Sequence, residues 1–280
     1  MANRKILISY TEFLKILHSY ISYGDDFYYD LLCKIIDYPS RYCGLFRLSN
    51  IRSKLLQNVT QSREIKFGDF IEELSTEYIS ILGYRNFAKD LGYDSNGDKL
   101  NVDQYFTDGQ KIYFCEMKIR DDHDSTKKRG QYENFQKKLS FIKLQHPNQI
   151  IDGSMWFVDE TLIKNKKYYL QMMKDEPIDS RINLHLYYGS EFFRNLANGD
   201  EAWNEIINYL EEYRLENANK DDIDMPDFGS SEVIYEQLLR LSDNYIKKLF
   251  SNNVEYELLR NELFGNGDNL EKLKKERNIK

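Results

Sequence analysis

Apolar residues recur at helical spacing in Phe13, Leu14, Ile16 and Leu17, and again in Leu31, Leu32, Ile35 and Ile36. Residues 1–60 therefore read as helices joined by a short loop near Asp37-Tyr38-Pro39-Ser40. The run Phe67 to Leu82, FGDFIEELSTEYISIL, predicts a stronger helix, with Gly83 as its stop signal. A turn-rich loop, Asp94 to Lys99, leads into a β-like region. There Lys111 to Ile119, KIYFCEMKI, is rich in strand formers. A helix over about Ser125 to Gln145 carries Gln131, Phe135, Leu139 and Ile142 on one stripe, with Ser125-Thr126 as its N-cap candidate. NQIIDGSMWFVD (Asn148 to Asp159) and RINLHLYY (Arg181 to Tyr188) read as further strands, the first with two short pieces or a bend at Gly153. From Gly189 the pattern turns helical, over Glu201 to Ala218, Ser231 to Phe250 and Glu255 to Phe264. An acidic linker around Ala218 to Ser230 holds Pro226 and Gly229, and the charged tail Glu271 to Lys280 is expected to fray. The layout is α/β: a helical N-terminal layer (1–60), a core with a mixed β-sheet flanked by helices (61–198) and a helical C-terminal region (199–280). The alternative is one compact domain throughout.

Composition narrows the class. A chain of 280 residues can bury a sizeable core. No stretch has the ~20 consecutive apolar residues of a membrane span. The N-terminus lacks the apolar core and cleavage site of a secretory signal. Cys33, Cys43 and Cys115 are odd in number and scattered, which fits a reducing compartment and a cytoplasmic location. The net charge of −7 argues against a general nucleic-acid coating protein, but not against one with a local basic surface. Such a surface is offered by Lys118 to Lys138, where seven Lys or Arg stand against four Asp or Glu. Most such runs are solvated helix faces.

The chemistry concentrates between Asn101 and Gln131. Side chains alternate along a strand, so Ile112, Phe114, Glu116 and Lys118 share one face of an apolar segment. Charges in that setting are costly unless paired or bound to a metal. Asp108-Gly109 between two β-like runs predicts a two-residue hairpin turn, with Thr107 facing Gln110. In that register Asp103 faces Phe114 and lies diagonal to Glu116, so Asp103, Glu116 and Lys118 cluster on one face. Asp108 would sit at the turn, about 25 Å along the strand from Glu116 at ~3.3 Å per residue. Two carboxylates and a lysine suit metal-assisted phosphodiester hydrolysis: oxygen ligands hold Mg²⁺, and the lysine offsets developing charge.

Asp103, a 12-residue gap and Glu116-Met117-Lys118 together resemble the motif of the PD-(D/E)XK nuclease superfamily. The continuation IRDDHDSTKKRGQ is similar to that of type II restriction endonucleases within it, and the likeness spans roughly Phe67 to Leu196. Val102 stands where the motif often has Pro. The resemblance implies a restriction-endonuclease-like core with Asp103, Glu116 and Lys118 as catalytic residues and Mg²⁺ as cofactor. It extends to Gln131, which resembles the glutamine many of these enzymes place beside the metal water. The run Phe70-Ile71-Glu72-Glu73-Leu74 to Leu82-Gly83-Tyr84 is similar to the first core helix of Mrr-type nucleases. An acid on that helix approaches the metal; Glu72 matches best, with Glu73 and Glu77 as competitors. Tyr-Gly-x-Glu-Phe-Phe after the last strand is a weaker likeness.

The implied activity is site-specific, Mg²⁺-dependent double-strand cleavage of DNA by a type II restriction endonuclease. A homodimer is expected, because one site cuts one strand and a palindrome matches a two-fold axis. Ser125, Thr126, Lys127, Lys128 and Arg129 are candidate DNA contacts. A cognate DNA methyltransferase is expected in the same system, without physical contact. Alternatives are a repair or recombination nuclease such as a junction resolvase, and a DNA-binding module without activity. Asp122-His123-Asp124-Ser125-Thr126 also resembles the nucleophile loop of haloacid-dehalogenase-type phosphatases, but that family's later Gly-Asp-x-x-x-Asp pair is absent. With Glu133 the same residues mimic an EF-hand spacing, except that Lys127 stands where that loop needs Gly. His123 reads as a surface residue that the chemistry does not need.

Overall fold

The computed structural model describes residues 6–21, 26–44, 46–217 and 225–279. In chain order the elements begin with α1 (Tyr10–Ile21), α2 (Phe27–Asp37), α3 (Ile51–Ile81), β1 (Arg85–Asn86), β2 (Asp90–Tyr93), β3 (Lys99–Asn101), β4 (Gln104–Thr107) and β5 (Lys111–Lys118). They continue with α4 (Ser125–Gln145), β6 (Ile150–Phe157), α5 (Lys166–Lys174), β7 (Ile182–Tyr188), α6 (Glu191–Arg194) and α7 (Gly199–Asn217). The last are α8 (Glu232–Arg240), α9 (Asp243–Leu249), α10 (Val254–Phe264) and α11 (Asn269–Glu276).

The chain divides into two compact units, one of Met1–Tyr20 and Phe67–Asn217, the other of Ile21–Lys66 and Ala218–Lys280. This division cuts across the three-segment layout read from the sequence. Residues 1–20 and 199–217 belong with the sheet, and residues 21–66 share a unit with 218–280.

In the first unit a five-stranded sheet runs in the order β1-β4-β5-β6-β7. β1, β4 and β5 pair antiparallel, while β5, β6 and β7 are parallel. Parallel neighbours need crossovers, and α4 and α5 supply them. The fold is therefore mixed α/β with a helix-flanked mixed sheet, as in restriction endonucleases. β2 and β3 form a separate two-stranded ribbon around the Asp94–Lys99 loop. The first unit's core gathers Phe114, Phe135, Ile142, Ile151, Phe157 and Tyr169 under α4 and α5. The second unit is helical, with its own core around Leu32, Ile35, Ile36, Leu55, Leu238 and Leu259.

Several boundaries differ from expectation for local reasons. The helix ending at Gly83 begins at Ile51, since no breaker interrupts residues 51–66. Gly83 does end it, with φ +95 and Tyr84 N donating to Ile79 O. The hairpin loop is four residues, not two, because Thr107 pairs with Ile112. Only Gly109 takes a positive φ (+93), whereas a type I′ turn needs one at Asp108 too. Asp108 instead accepts from Gln110 N and Lys111 N at 2.8 and 2.7 Å. β6 is one continuous strand through Gly153, and the expected Ser231 to Phe250 helix breaks at Leu241-Ser242 into α8 and α9. The tail expected to fray forms α11, with Leu273 fully buried. Of the expected acidic linker, residues 218–224 lie outside the described residues.

Gly153 marks a close approach. A Cβ there would come within 2.5 Å of Phe114 Cε1 and 3.3 Å of Leu184 Cδ2. Phe114 cannot retreat freely, because it stacks on Phe135 with ring centroids 5.1 Å apart. Gly130, in α4, has nothing within 4 Å of such a Cβ. Gly153→Ala should therefore cost about 1–3 kcal/mol by overpacking, whereas Gly130→Ala should add roughly 0.5–1 kcal/mol through helix propensity. Urea unfolding of both variants checks the pair; a neutral Gly153→Ala would contradict the packing described.

Candidate active site

β5 lies in the middle of the sheet, and its alternate residues serve opposite faces. Phe114 and Glu116 point toward α4, where they meet Phe135 and Lys138. Because Gln104 pairs with Cys115, Asp103 just ahead of β4 comes level with Glu116. The register thus brings Asp103 directly opposite Glu116, where the two-residue turn had set it on the diagonal. The shift is an even number of residues, so face assignments survive it.

Asp103 is tied to the strand beside it. Its Oδ2 accepts from Met117 N at 2.7 Å and from Lys118 Nζ at 3.3 Å. Lys118 Nζ also donates to Met117 O at 2.6 Å. The next residue, Gln104, is fully buried and fastens this end of β4 to α3. Its Nε2 donates to Glu72 O at 2.7 Å, and its Oε1 accepts from Thr76 Oγ1 at 3.0 Å. Asp103 therefore stands between two fixed elements.

Glu116 is 5 % exposed, and Lys138 Nζ donates to its Oε1 at 2.6 Å. Both side chains of this pair are buried. Burial pushes the Glu116 carboxyl up to about 7 and the Asp103 charge adds to it, while Lys138 and Lys118 oppose. Burial works against the Lys118 ammonium, but the carboxylates of Asp103 and Glu116 outweigh it and raise its pKa. Burial likewise raises Glu72, whose Oε1 accepts from Lys89 Nζ at 2.7 Å, with Asp103 adding to the shift.

Asp103, Glu116 and Lys118 thus converge as the sequence led one to expect. Glu72 is the acid of α3 within electrostatic reach of Asp103, but it is paired with Lys89. Among the described residues no three or more His, Cys, Asp or Glu side chains are gathered closely enough to hold a metal, and Glu72 points to Lys89 in this arrangement. Gln131 does not point where the resemblance implied. Its Oε1 accepts from Tyr169 OH at 2.7 Å. The buried stripe of α4 runs through Tyr132, Phe135, Lys138, Leu139 and Ile142, and Lys138 is the polar group it delivers to Glu116.

The start of α4 is capped by Asp124, not by Ser125 or Thr126: the Asp124 carboxylate accepts from Thr126 N and Lys127 N. Ser125, Thr126, Lys127 and Arg129 are exposed, and Lys128 Nζ lies 4.6 Å over the Tyr168 ring. Asp124 as a cap and Asp122 in solvent leave no phosphatase nucleophile loop. Asp121, within the acidic loop after β5, is fully buried. It accepts from Asn165 N, Asn165 Nδ2 and Tyr188 OH at 2.8–2.9 Å, which pins the β5–α4 connection to β7.

The donor set at Asp103 and Glu116 suits a hard divalent cation. Two carboxylates, the charge of Asp103 close enough to raise the proton affinity of Glu116, with the Met117 carbonyl beside them, are oxygen ligands. Mg²⁺ is commonly held by one or two carboxylates and retains several waters.

A protein-family model described as type II restriction endonuclease, HinfI, matches residues 86–214. That span contains Asp103, Glu116, Lys118 and Lys138 and runs from β1 into α7. No curated protein matches the chain.

The Glu116 carboxyl has a measurable signature. In an unfolded chain a glutamate titrates near ~4.3, whereas folding raises Glu116 to about 7. The folded state then holds the extra proton in that window. The associated stability is full below the unfolded value and is lost as pH rises through about 7. In metal-free buffer the unfolding free energy should fall from pH ~5 to ~8 more steeply in the parent than in Glu116→Gln. Parallel pH profiles would exclude a raised carboxyl at this position.

Proposed function

We propose that the protein, whose residues 86–214 match the type II restriction endonuclease, HinfI, family model, is a DNA-binding nuclease of that kind that cuts both strands of DNA at a specific short sequence with Mg²⁺ as cofactor. The observation that carries this reading is the convergence of Asp103, Glu116 and Lys118 at the β4–β5 junction inside that domain.

In this reading Asp103 and Glu116 are the metal ligands and Lys118 is the catalytic cation. Mg²⁺ held there would polarise the scissile phosphate and lower the pKa of a bound water. Lys118, kept ionised by the two acids and tethered to Asp103 and Met117 O, is oriented to offset charge that develops on the phosphate. Lys138 neutralises Glu116 from α4 and holds its carboxylate toward the β4–β5 junction. Glu72, paired with Lys89 and within electrostatic reach of Asp103, is the acid of α3 that approaches the metal in this reading. Gln131 acts through Tyr169 on the packing of α4.

Ser125, Thr126, Lys127, Lys128 and Arg129 are the proposed DNA contacts. They lie roughly 15 Å along α4 from Lys138 at ~1.5 Å per residue, about four nucleotide steps at ~3.4 Å per strand. One site hydrolyses one strand, so double-strand scission calls for a homodimer on a palindrome. A methyltransferase that protects the same sequence completes a restriction-modification system in the cytoplasm.

Incubating the purified protein with a mapped plasmid, with and without Mg²⁺, and sequencing the ends tests the reading directly. Cleavage should require the metal and fall at one repeated short sequence. Asp103→Asn, Glu116→Ala and Lys118→Ala should each abolish it while the protein stays folded. Glu116→Ala should also weaken Mg²⁺ or Ca²⁺ binding in calorimetry. Asp108→Asn should keep activity, because Asn Oδ1 can still accept from Gln110 N and Lys111 N. Near-native cleavage by Lys118→Ala, or loss confined to Asp108→Asn, would move the site elsewhere.

The basic start of α4 yields a separate expectation. Neutralising a phosphate contact should lower the salt dependence of binding by about one unit of slope per contact. Losing a base contact should instead relax specificity at one position. A Lys127→Ala/Lys128→Ala/Arg129→Ala protein that binds and cuts like the parent, in fluorescence anisotropy across salt and in digestion, would show that this face is away from DNA.

A further inference from the structure

The sheet face opposite Glu116 carries a cavity that the nuclease chemistry does not use. Its floor follows from the strand register, which sets residues of β5, β6 and β7 in rows. One row is Tyr113, Asp152 and Asn183; the next is Cys115, Ser154 and His185. A third, Met117, Trp156 and Tyr187, is bulky and packs under α6, where Phe192 stacks on Trp156 at 4.6 Å. The middle row begins with two small side chains, so the sheet is hollow there. Phe192, Asn195 and Leu196 line the hollow from α6 and the turn after it, and the volume is about 220 Å³. At ~30 Å³ per water that is room for about seven waters, the scale of a one- or two-ring molecule.

The lining is aromatic and hydrogen-bonding, yet electrically balanced. Phe106 stacks on Tyr113 at 5.0 Å on one side, and His185 stacks on Tyr187 at 5.5 Å on the other. Asp152 is answered by Lys111 Nζ at 3.0 Å and by Asn183 Nδ2 at 2.6 Å. A charged ligand would therefore find no countercharge to spare, and a phosphate would meet the Asp152 carboxylate. Burial holds His185 below its ordinary pKa and favours the neutral ring, although Asp152 opposes this. A neutral imidazole offers one N–H donor and one bare nitrogen acceptor. π-faces to stack on, neutral donors and acceptors at the edge and no net charge describe one kind of guest.

We propose that this cavity binds an uncharged, flat nitrogen heterocycle of nucleobase size, separately from the Glu116 site. The guest comes free from solution, as a base or nucleoside. Glu116 faces the other side of the sheet from the Cys115, Ser154 and His185 row, so in this proposal the free base and the Glu116 site are separate.

The test titrates the full chain with adenine, guanosine, cytosine and thymine, and with the matching 5′-monophosphates, by calorimetry and ligand-observed NMR. At least one neutral compound should bind at 1:1 stoichiometry, and its monophosphate should bind roughly tenfold more weakly or worse. His185→Leu and Asn183→Leu are substitutions on the partly open edge strand β7. Each should weaken binding by about tenfold or more and leave plasmid cleavage unchanged. Ser154→Leu should fill the hollow and abolish binding; if that protein fails to fold, the two β7 variants decide. No binding by any of the neutral compounds, tighter binding of the monophosphates, or binding untouched by the β7 substitutions would overturn the proposal. Displacement of the bound base by cognate duplex in Ca²⁺, which blocks no free-base site, would assign the cavity to DNA and overturn the free source.

Discussion

The site depends on one buried ion pair. Glu116 sits in the central strand of a five-stranded sheet with almost no exposure, and an isolated carboxylate there would be costly. Lys138 answers it from α4 at 2.6 Å. That contact constrains more than two side chains. It requires α4 to cross β5 at one height, with Phe135 on Phe114 to one side. It sets the crossover that makes β5 and β6 parallel, and the β5–α4 connection is then held by Asp121 on Asn165 and Tyr188. Removing either partner of such a pair leaves a buried charge uncompensated, which is more costly than never having the pair.

Much of this was legible in the chain. The parity of strand positions put Asp103, Glu116 and Lys118 on one face, and parity is indifferent to a register error of two. The hairpin reading took Asp108-Gly109 as a two-residue turn, but the loop is four residues. The clustering survived because the error was even; a slip of one would have sent Asp103 to the other face. Asp108 kept a structural role for a different reason, as an acceptor for two loop N–H groups rather than as a positive-φ residue.

What sequence reasoning missed was the polar group hidden in an apolar stripe. Lys138 looked like part of a basic, solvated helix. Its position held the signal: it lies three residues after Phe135 and four before Ile142, both fully buried, so it shares their face. Choosing Gln131 as the polar member placed the stripe one residue early, where Tyr132 is the buried position. Asp121 was missed for a related reason. Among Arg120, Asp122, His123 and Asp124 its burial has no local marker, because its partners Asn165 and Tyr188 come more than forty residues later. The two-unit division was equally non-local, since residues 21–66 and 218–280 combine into one unit from opposite ends of the chain.

The two faces of the sheet solve opposite problems. On the α4 side, acids are gathered and each has its own lysine: Glu116 with Lys138, Asp103 with Lys118, and Glu72 with Lys89. This pairing lets the acids come together during folding without a cation already present, since each charge is offset as it is desolvated. It also explains why Glu116 alone is driven to about 7: it is the most deeply buried of the three, and it faces the Asp103 charge as well. On the other side the charge pair Asp152 with Lys111 is self-cancelling at the rim of an aromatic hollow. Alternation along β5 is enough to separate them, with Glu116 and Lys118 on one side and Tyr113 and Cys115 on the other. A single strand can therefore carry the chemistry of a hydrolytic site on one face and the floor of a cavity on the other.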